Sequence, residues 1–213
     1  MQQHEAIAIR ARQQHVAERR DARPQRSLVF AFWTSEEKGL LGSEYYAANP
    51  VYPLETTAAG VNVDALAPTG AAKDVLVVGY GQSDLEDRLA PILTAASRVI
   101  RPDEHPEAGY FYRSDHFPMA KLGVPMLYMD SGSDLVIGGA AAGERADSLY
   151  RANRYHQPAD NFDQETWDFS GIAADVNVLY QLGLQLANST DWPNYRATSE
   201  FRPVRDKSAA ARR

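Results

Sequence analysis

The chain has 213 residues, of which 44% are hydrophobic and 23% charged, with a formal net charge of −6 and no cysteine. That length suffices for one sizeable domain with a proper core, and the negative balance gives nucleic-acid binding no overall electrostatic support. The lack of cysteine removes disulfides, thiolate metal sites and cysteine nucleophiles together, and no apolar run approaches the length of a membrane span.

In chain order, residues 5–20 carry a helical but polar pattern with Ile7, Ile9 and Val16 as the main apolar points. The stretch before Arg26 has no apolar h-region and no small-residue cleavage site, so it does not read as a signal peptide. Arg26–Ser35, RSLVFAFWTS, is a mostly apolar run that predicts a strand buried on both faces. EKGLLGSEYYAAN, from Glu37, predicts a helix running to Pro50. Ala59–Leu66 and Asp74–Gly81 predict a second and a third strand, and Ser83–Ile100 a helix with Ser83 as N-cap. SDHFPMAKLG predicts a short helix ended by Gly123, followed by the strand Val124–Asp130. A Gly/Ala-rich loop comes next, then a long amphipathic helix over Phe169–Ser189. The arginine-rich tail from Arg202 reads as solvated surface. Strands alternating with helices indicate an α/β layered fold with a mostly parallel central sheet. In such sheets the chemistry collects at the carboxyl ends of the strands.

Polar residues stand at those ends. Glu36 and Glu37 close the first strand, Asp64 closes the second, Arg113–His116 precedes the helix before the fourth, and Tyr155–Asp163 lies in the loop before the last helix. Each has an ordinary explanation in helix dipoles, caps or turns. Neighbouring residues on an extended chain point to opposite sides, however, so Glu36 and Glu37 cannot share one task in one place. Zinc-dependent hydrolysis needs carboxylates and histidines as ligands, and an unligated carboxylate to take the proton from the water. Adjacent glutamates at a strand end can divide those roles. Spacing alone leaves both explanations open.

The segments RSLVFAFWTSEEKGLLGSEYY, NVDA, YFYRSDHFPMAKLGVP and NRYHQPADNFD, in this order, resemble the zinc aminopeptidase family. That family includes bacterial leucyl aminopeptidases, aminopeptidase Y, glutamate carboxypeptidases, glutaminyl cyclases and the transferrin-receptor ectodomain. The resemblance runs from about Arg26 to about Phe201 and implies the family's phosphorylase/hydrolase-like architecture. It divides the chain into an atypical polar segment over 1–26, a metallopeptidase-type domain over 27–201 and a basic flexible tail over 202–213. It implies a peptide substrate, zinc as cofactor and, for a complete relative, a periplasmic or secreted location. By the same resemblance Glu36 matches the general base, Glu37 and His156 match ligands of one zinc, and Asp64 matches a ligand of the other. Asp115 and His116 take substrate-side or second-shell roles, as do Tyr155 beside the pocket and Asp160, which fixes the loop carrying His156.

The family's site implies five protein ligands for two zincs, with a His and a bridging Asp supplied from upstream of Arg26. Here that region holds only His4, His15 and Asp21, none in a matching context. The expectation is therefore an N-terminally incomplete site holding two, one or no zinc ions, in a truncated or altered peptidase. The resemblance leaves two other readings open: a non-catalytic binding or structural relative, and a single-zinc acyltransferase like the glutaminyl cyclases.

Overall fold

The computed structural model describes residues 23–212. Its elements in chain order are α1 (Leu41–Ala48), β1 (Gly60–Asn62), β2 (Asp74–Val78), α2 (Leu85–Ala95), β3 (Val99–Pro102), α3 (Phe117–Lys121), β4 (Met126–Ser131), α4 (Gly139–Asn153), α5 (Ser170–Asn188) and α6 (Arg202–Lys207). The four strands form one sheet in the order β1-β4-β2-β3. β1 runs parallel to β4 with Asn62 opposite Tyr128, and β2 parallel to β3. The two pairs join antiparallel, with Val77 opposite Met129. The expected α/β class holds, with a mixed sheet in which two of three pairings are parallel.

Alternation along the central strands builds two core layers. Val75, Val77, Leu127 and Met129 face Leu85, Leu89 and Leu93 of α2 and Val178 and Leu182 of α5. Val78, Met126 and Tyr128 point the other way, against Ala47 of α1, Met119 and Ala120 of α3, Phe111, Tyr195 and Phe201. Helices thus cover both faces, as the near-continuous apolar runs of β2 and β4 require.

Several elements differ from expectation. Arg26–Ser35 is not a strand, and Leu28, Val29, Phe30 and Phe32 along it are exposed. The apolar pattern is real, but a strand exists only through a ladder partner, and none lies alongside it among the described residues. The helix expected from Glu37 is split: a 3-10 turn spans Glu36–Lys38, and Gly39 and Leu40 at positive φ separate it from α1. The helix expected over Ser83–Ile100 ends at Ala95; Asp84 stands at the N-cap position without a side-chain cap bond, and Ser83, one position earlier, accepts from the Leu85 N–H through its Oγ at 3.3 Å. Ser97 turns left-handed, and β-branched Val99 and Ile100 pair with β2 as an edge strand. The Gly/Ala-rich stretch is largely α4, whose run of alanines from Ala140 to Ala142 favours helix.

The C-terminal stretch is not a flexible tail. Arg202–Lys207 is helical and Arg205 is fully buried, donating to the carbonyls of Thr57, Ala58 and Pro193. It ties the end of the chain to the residues that lead into β1. The helix expected over 5–20, and with it His4, His15 and Asp21, lies outside the described residues. No helix among the described residues is long and apolar enough to cross a membrane.

Candidate active site

Because β1 and β4 are parallel, their carboxyl ends emerge on one side of the sheet, carrying Asp64 and Asp130. Asn62, in register with Tyr128, donates through its side-chain amide to Ser114 Oγ at 2.8 Å. The Tyr128 hydroxyl donates to Asp64 Oδ2 at 3.2 Å. Asp64 is therefore held by the strand beside its own. Asp130 accepts from the backbone of Ala65, while its Oδ1 is buried without a partner. Burial first, and then the charge of Asp64, push the Asp130 carboxyl up to about 7.

Glu36 and Glu37 enter on a 3-10 turn rather than at the end of an extended strand, and both line the cleft. Glu36 is half-buried, and its carboxyl is raised by burial and then by the charges of Asp64, Glu37 and Asp115, with His156 pulling back weakly. Glu37 is exposed and its Oε1 lies 2.9 Å from His156 Nε2. The turn begins at Ser35 with φ 58°, and His156 itself has φ 58°. Both are non-glycine residues in the left-handed region, and such strain concentrates at functional sites.

His156 sits on the loop after α4, which is tightly braced. Asp160 accepts from the Tyr150 hydroxyl at 2.8 Å, securing the loop to the end of α4. Asp163 accepts from Thr166 Oγ1 at 2.6 Å and from Arg154 at 3.1 Å, and these bonds hold its carboxyl down at about 2. Tyr155 stacks on the His156 ring with centroids 4.0 Å apart and lines the cleft beside it.

Asp115 and His116 lie beneath the site and are not part of the cleft lining. Asp115 accepts from Ser43 Oγ at 2.6 Å; burial raises its carboxyl, the Ser43 bond opposes that, and Asp64 adds to the rise. His116 is wholly buried between Phe111 and Tyr128, with neither ring nitrogen bonded, and burial holds it neutral with a pKa of about 3.

The structure thus brings Glu36, Glu37, Asp64, Tyr155 and His156 around one cleft of about 4220 Å³. Sequence reasoning missed Tyr128, Asp130, Asn62 and Ser43. Asp130 was legible, since LYMD ends a strand by the same rule that picked Asp64; the other three act only through tertiary contacts. The donors suit a divalent cation in kind. Glu36, Asp115 and Asp130, each raised in part by the charge of Asp64, and a buried Asp130 oxygen without a partner form a negative pocket, which a cation with oxygen and imidazole ligands would relieve. In the cleft, Glu37 and His156 are close enough to share an ion, and among the described residues no three His, Asp or Glu converge on one point.

The model of peptidase family M28 matches residues 6–180, well over half of the chain. No curated protein matches it.

Proposed function

This chain belongs to peptidase family M28, and we propose that it is a zinc-dependent exopeptidase that removes N-terminal residues from peptides. The observation that carries the reading is the contact of Glu37 with His156 beside a Glu36 whose carboxyl is raised by burial. Glu37 meets His156 at 2.9 Å, as ligands of one ion would, while Glu36 lies within reach of their charges with a carboxyl raised by burial first and then by Asp64. Glu37 and His156 would hold one zinc and Asp64 contribute to a second. Bound there, zinc supplies a Lewis acid that polarises the scissile carbonyl and acidifies water.

Glu36 is the base. Its carboxylate takes a proton from the attacking water as the oxygen bonds to the carbonyl carbon. When the C–N bond breaks, Glu36 returns that proton to the leaving amine nitrogen. Water has then added across the peptide bond with all atoms accounted for. A carboxyl raised towards neutrality is a better base for this than an ordinary surface glutamate. Tyr128 orients Asp64, and the Tyr155 ring fixes the plane of the His156 imidazole. The surrounding carboxylates of Asp64, Asp115 and Asp130 favour the ammonium end of a peptide over its carboxylate end, which supports aminopeptidase over carboxypeptidase action.

The test is hydrolysis of an unblocked aminoacyl 4-nitroanilide by the zinc-equilibrated chain, against the same compound N-acetylated. Only the unblocked compound is expected to be cleaved. Glu36→Gln is expected to lower kcat/KM by about 10²–10⁴-fold with zinc still bound. Full activity in Glu36→Gln would remove the base assignment, and zinc binding without cleavage of either compound would favour a binding relative.

A further inference from the structure

α5 buries Gly171, Val178, Leu182 and Ala187, and with them the carboxylate of Asp175. Arg98 answers that charge: its Nη2 donates to Asp175 Oδ1 at 2.6 Å and to the Asp74 carbonyl at 2.7 Å. The side chains of Arg98 and Asp175 are only 6% and 2% exposed. A buried ion pair returns little net stability, because desolvating two charges offsets their attraction, and apolar residues of similar volume often do as well or better. Nε and Nη1 of Arg98 are also buried and find no hydrogen-bond partner among the described residues, which adds to the cost. Stability therefore does not account for the pair.

The second oxygen of the carboxylate points to another role. Asp175 Oδ2 accepts from Ser131 Oγ at 3.0 Å, and the same Oγ accepts from the Ala67 N–H at 3.0 Å. An ionised carboxylate can only accept. The Ser131 proton is thus committed to Asp175, which leaves a lone pair turned to Ala67. Residues 63–68 belong to no helix or strand, so their backbone N–H groups depend on partners such as this one. Asp64 lies in that loop, and β4 grips it at three points. The Tyr128 hydroxyl donates to Asp64 Oδ2, Asp130 accepts from the Ala65 N–H, and Ser131 accepts from the Ala67 N–H. The third grip is the one that Asp175 and Arg98 brace from behind.

We propose that Ser131 and Asp175 are positioning residues of the candidate site: Asp175, fixed by Arg98, aims the Ser131 hydroxyl, which holds the Ala67 N–H and with it the loop that presents Asp64. The positioning role rests on the reading of Asp64 as a zinc ligand; the hold on the loop does not.

Ser131→Ala removes the acceptor and Ser131→Thr keeps it, while Val178→Ala, on the same buried face of α5, controls for lost stability. In the full chain without zinc, backbone amide exchange followed by NMR is expected to be about tenfold faster at Ala65, Leu66 and Ala67 in Ser131→Ala than in Val178→Ala, with Ser131→Thr near the wild type. Exchange there no faster than in the control overturns the proposal, whether or not the protein binds zinc. Asp175→Asn is expected to speed the same amides, and to speed them no further when added to Ser131→Ala; independent effects would overturn the part given to Asp175. Zinc titration reads the consequence. Ser131→Ala is expected to bind zinc about tenfold more weakly than Val178→Ala or Ser131→Thr. Faster exchange with unchanged zinc affinity would mean that the bond holds the loop without positioning a ligand, and overturns the positioning role. A wild-type chain that takes up no zinc removes the proposed function itself, and the exchange rates then decide alone whether Ser131 and Asp175 hold the loop.

Discussion

Two buried groups near the site should give the stability of this protein a pH dependence with opposite slopes. His116 has a pKa of about 3 when folded, against 6.5 for the free side chain. Between those values the unfolded chain binds a proton that the native chain refuses. Stability is then full above pH 6.5 and falls as the pH drops, by on the order of 4 kcal/mol at pH 3. His116→Phe, filling the same aromatic slot between Phe111 and Tyr128, is expected to flatten this acid-side loss in urea unfolding at pH 7 and pH 5. Asp130 works the other way. Its folded pKa of about 7 stands above the ordinary 3.8, so its contribution is present below pH 3.8 and lost as the pH rises towards 7. Asp130→Asn is expected to raise the urea midpoint of the zinc-free protein at pH 8 and leave it nearly unchanged at pH 4. At this scale the sequence exposed the residue types but not their surroundings. His116 and His156 both sit in polar motifs, and only the fold makes one a core ring and the other a residue of the cleft wall.

The element that matters most to the site is α4, because the loop after it presents His156. α4 seats itself through Gly143, where a Cβ would collide with the Ser133 carbonyl oxygen. The obstacle is backbone, which cannot step aside cheaply. Gly143→Leu is expected to destabilise the protein by about 2 kcal/mol and to weaken zinc binding by about tenfold as the helix lifts, measured by thermal unfolding and by zinc titration. A variant equally destabilised but with unchanged zinc affinity would show that α4 does not position the ligand. α4 was hidden because glycines at 138, 139 and 143 mimic a loop, although the alanines between them favour helix. The reverse happened at Arg26–Ser35, where the apolar pattern of a buried strand is present and its pairing partner is not. β2, β4, α3 and α5 were legible because their apolar spacing coincides with surfaces that are in fact covered.

At the scale of the whole molecule, the described residues leave apolar surface facing the cleft and solvent. β1 pairs only with β4 among them, and across the cleft Val29, Phe30 and Phe32 are 54%, 56% and 74% exposed. An open strand edge beside exposed aromatics is a template for association. Light scattering of the full chain is expected to show concentration-dependent growth, reduced by Phe32→Lys. A monomer at every concentration would mean that this surface is covered in solution. Length and composition foretold a core-forming domain, the alternation of strands and helices foretold its α/β type, and the order of motifs foretold the family. Neither could say which element covers which face, because periodicity marks a surface as apolar without naming its neighbour.

The most direct test is zinc per folded chain, by elemental analysis after equilibration with zinc and removal of the excess, for the wild type, Glu36→Gln and His156→Ala. If Glu37 and His156 are the ligands and Glu36 is the base, the wild type and Glu36→Gln retain zinc to the same extent, and His156→Ala loses it. A wild-type chain without zinc, or a His156→Ala chain that keeps its full complement, would contradict the assignment.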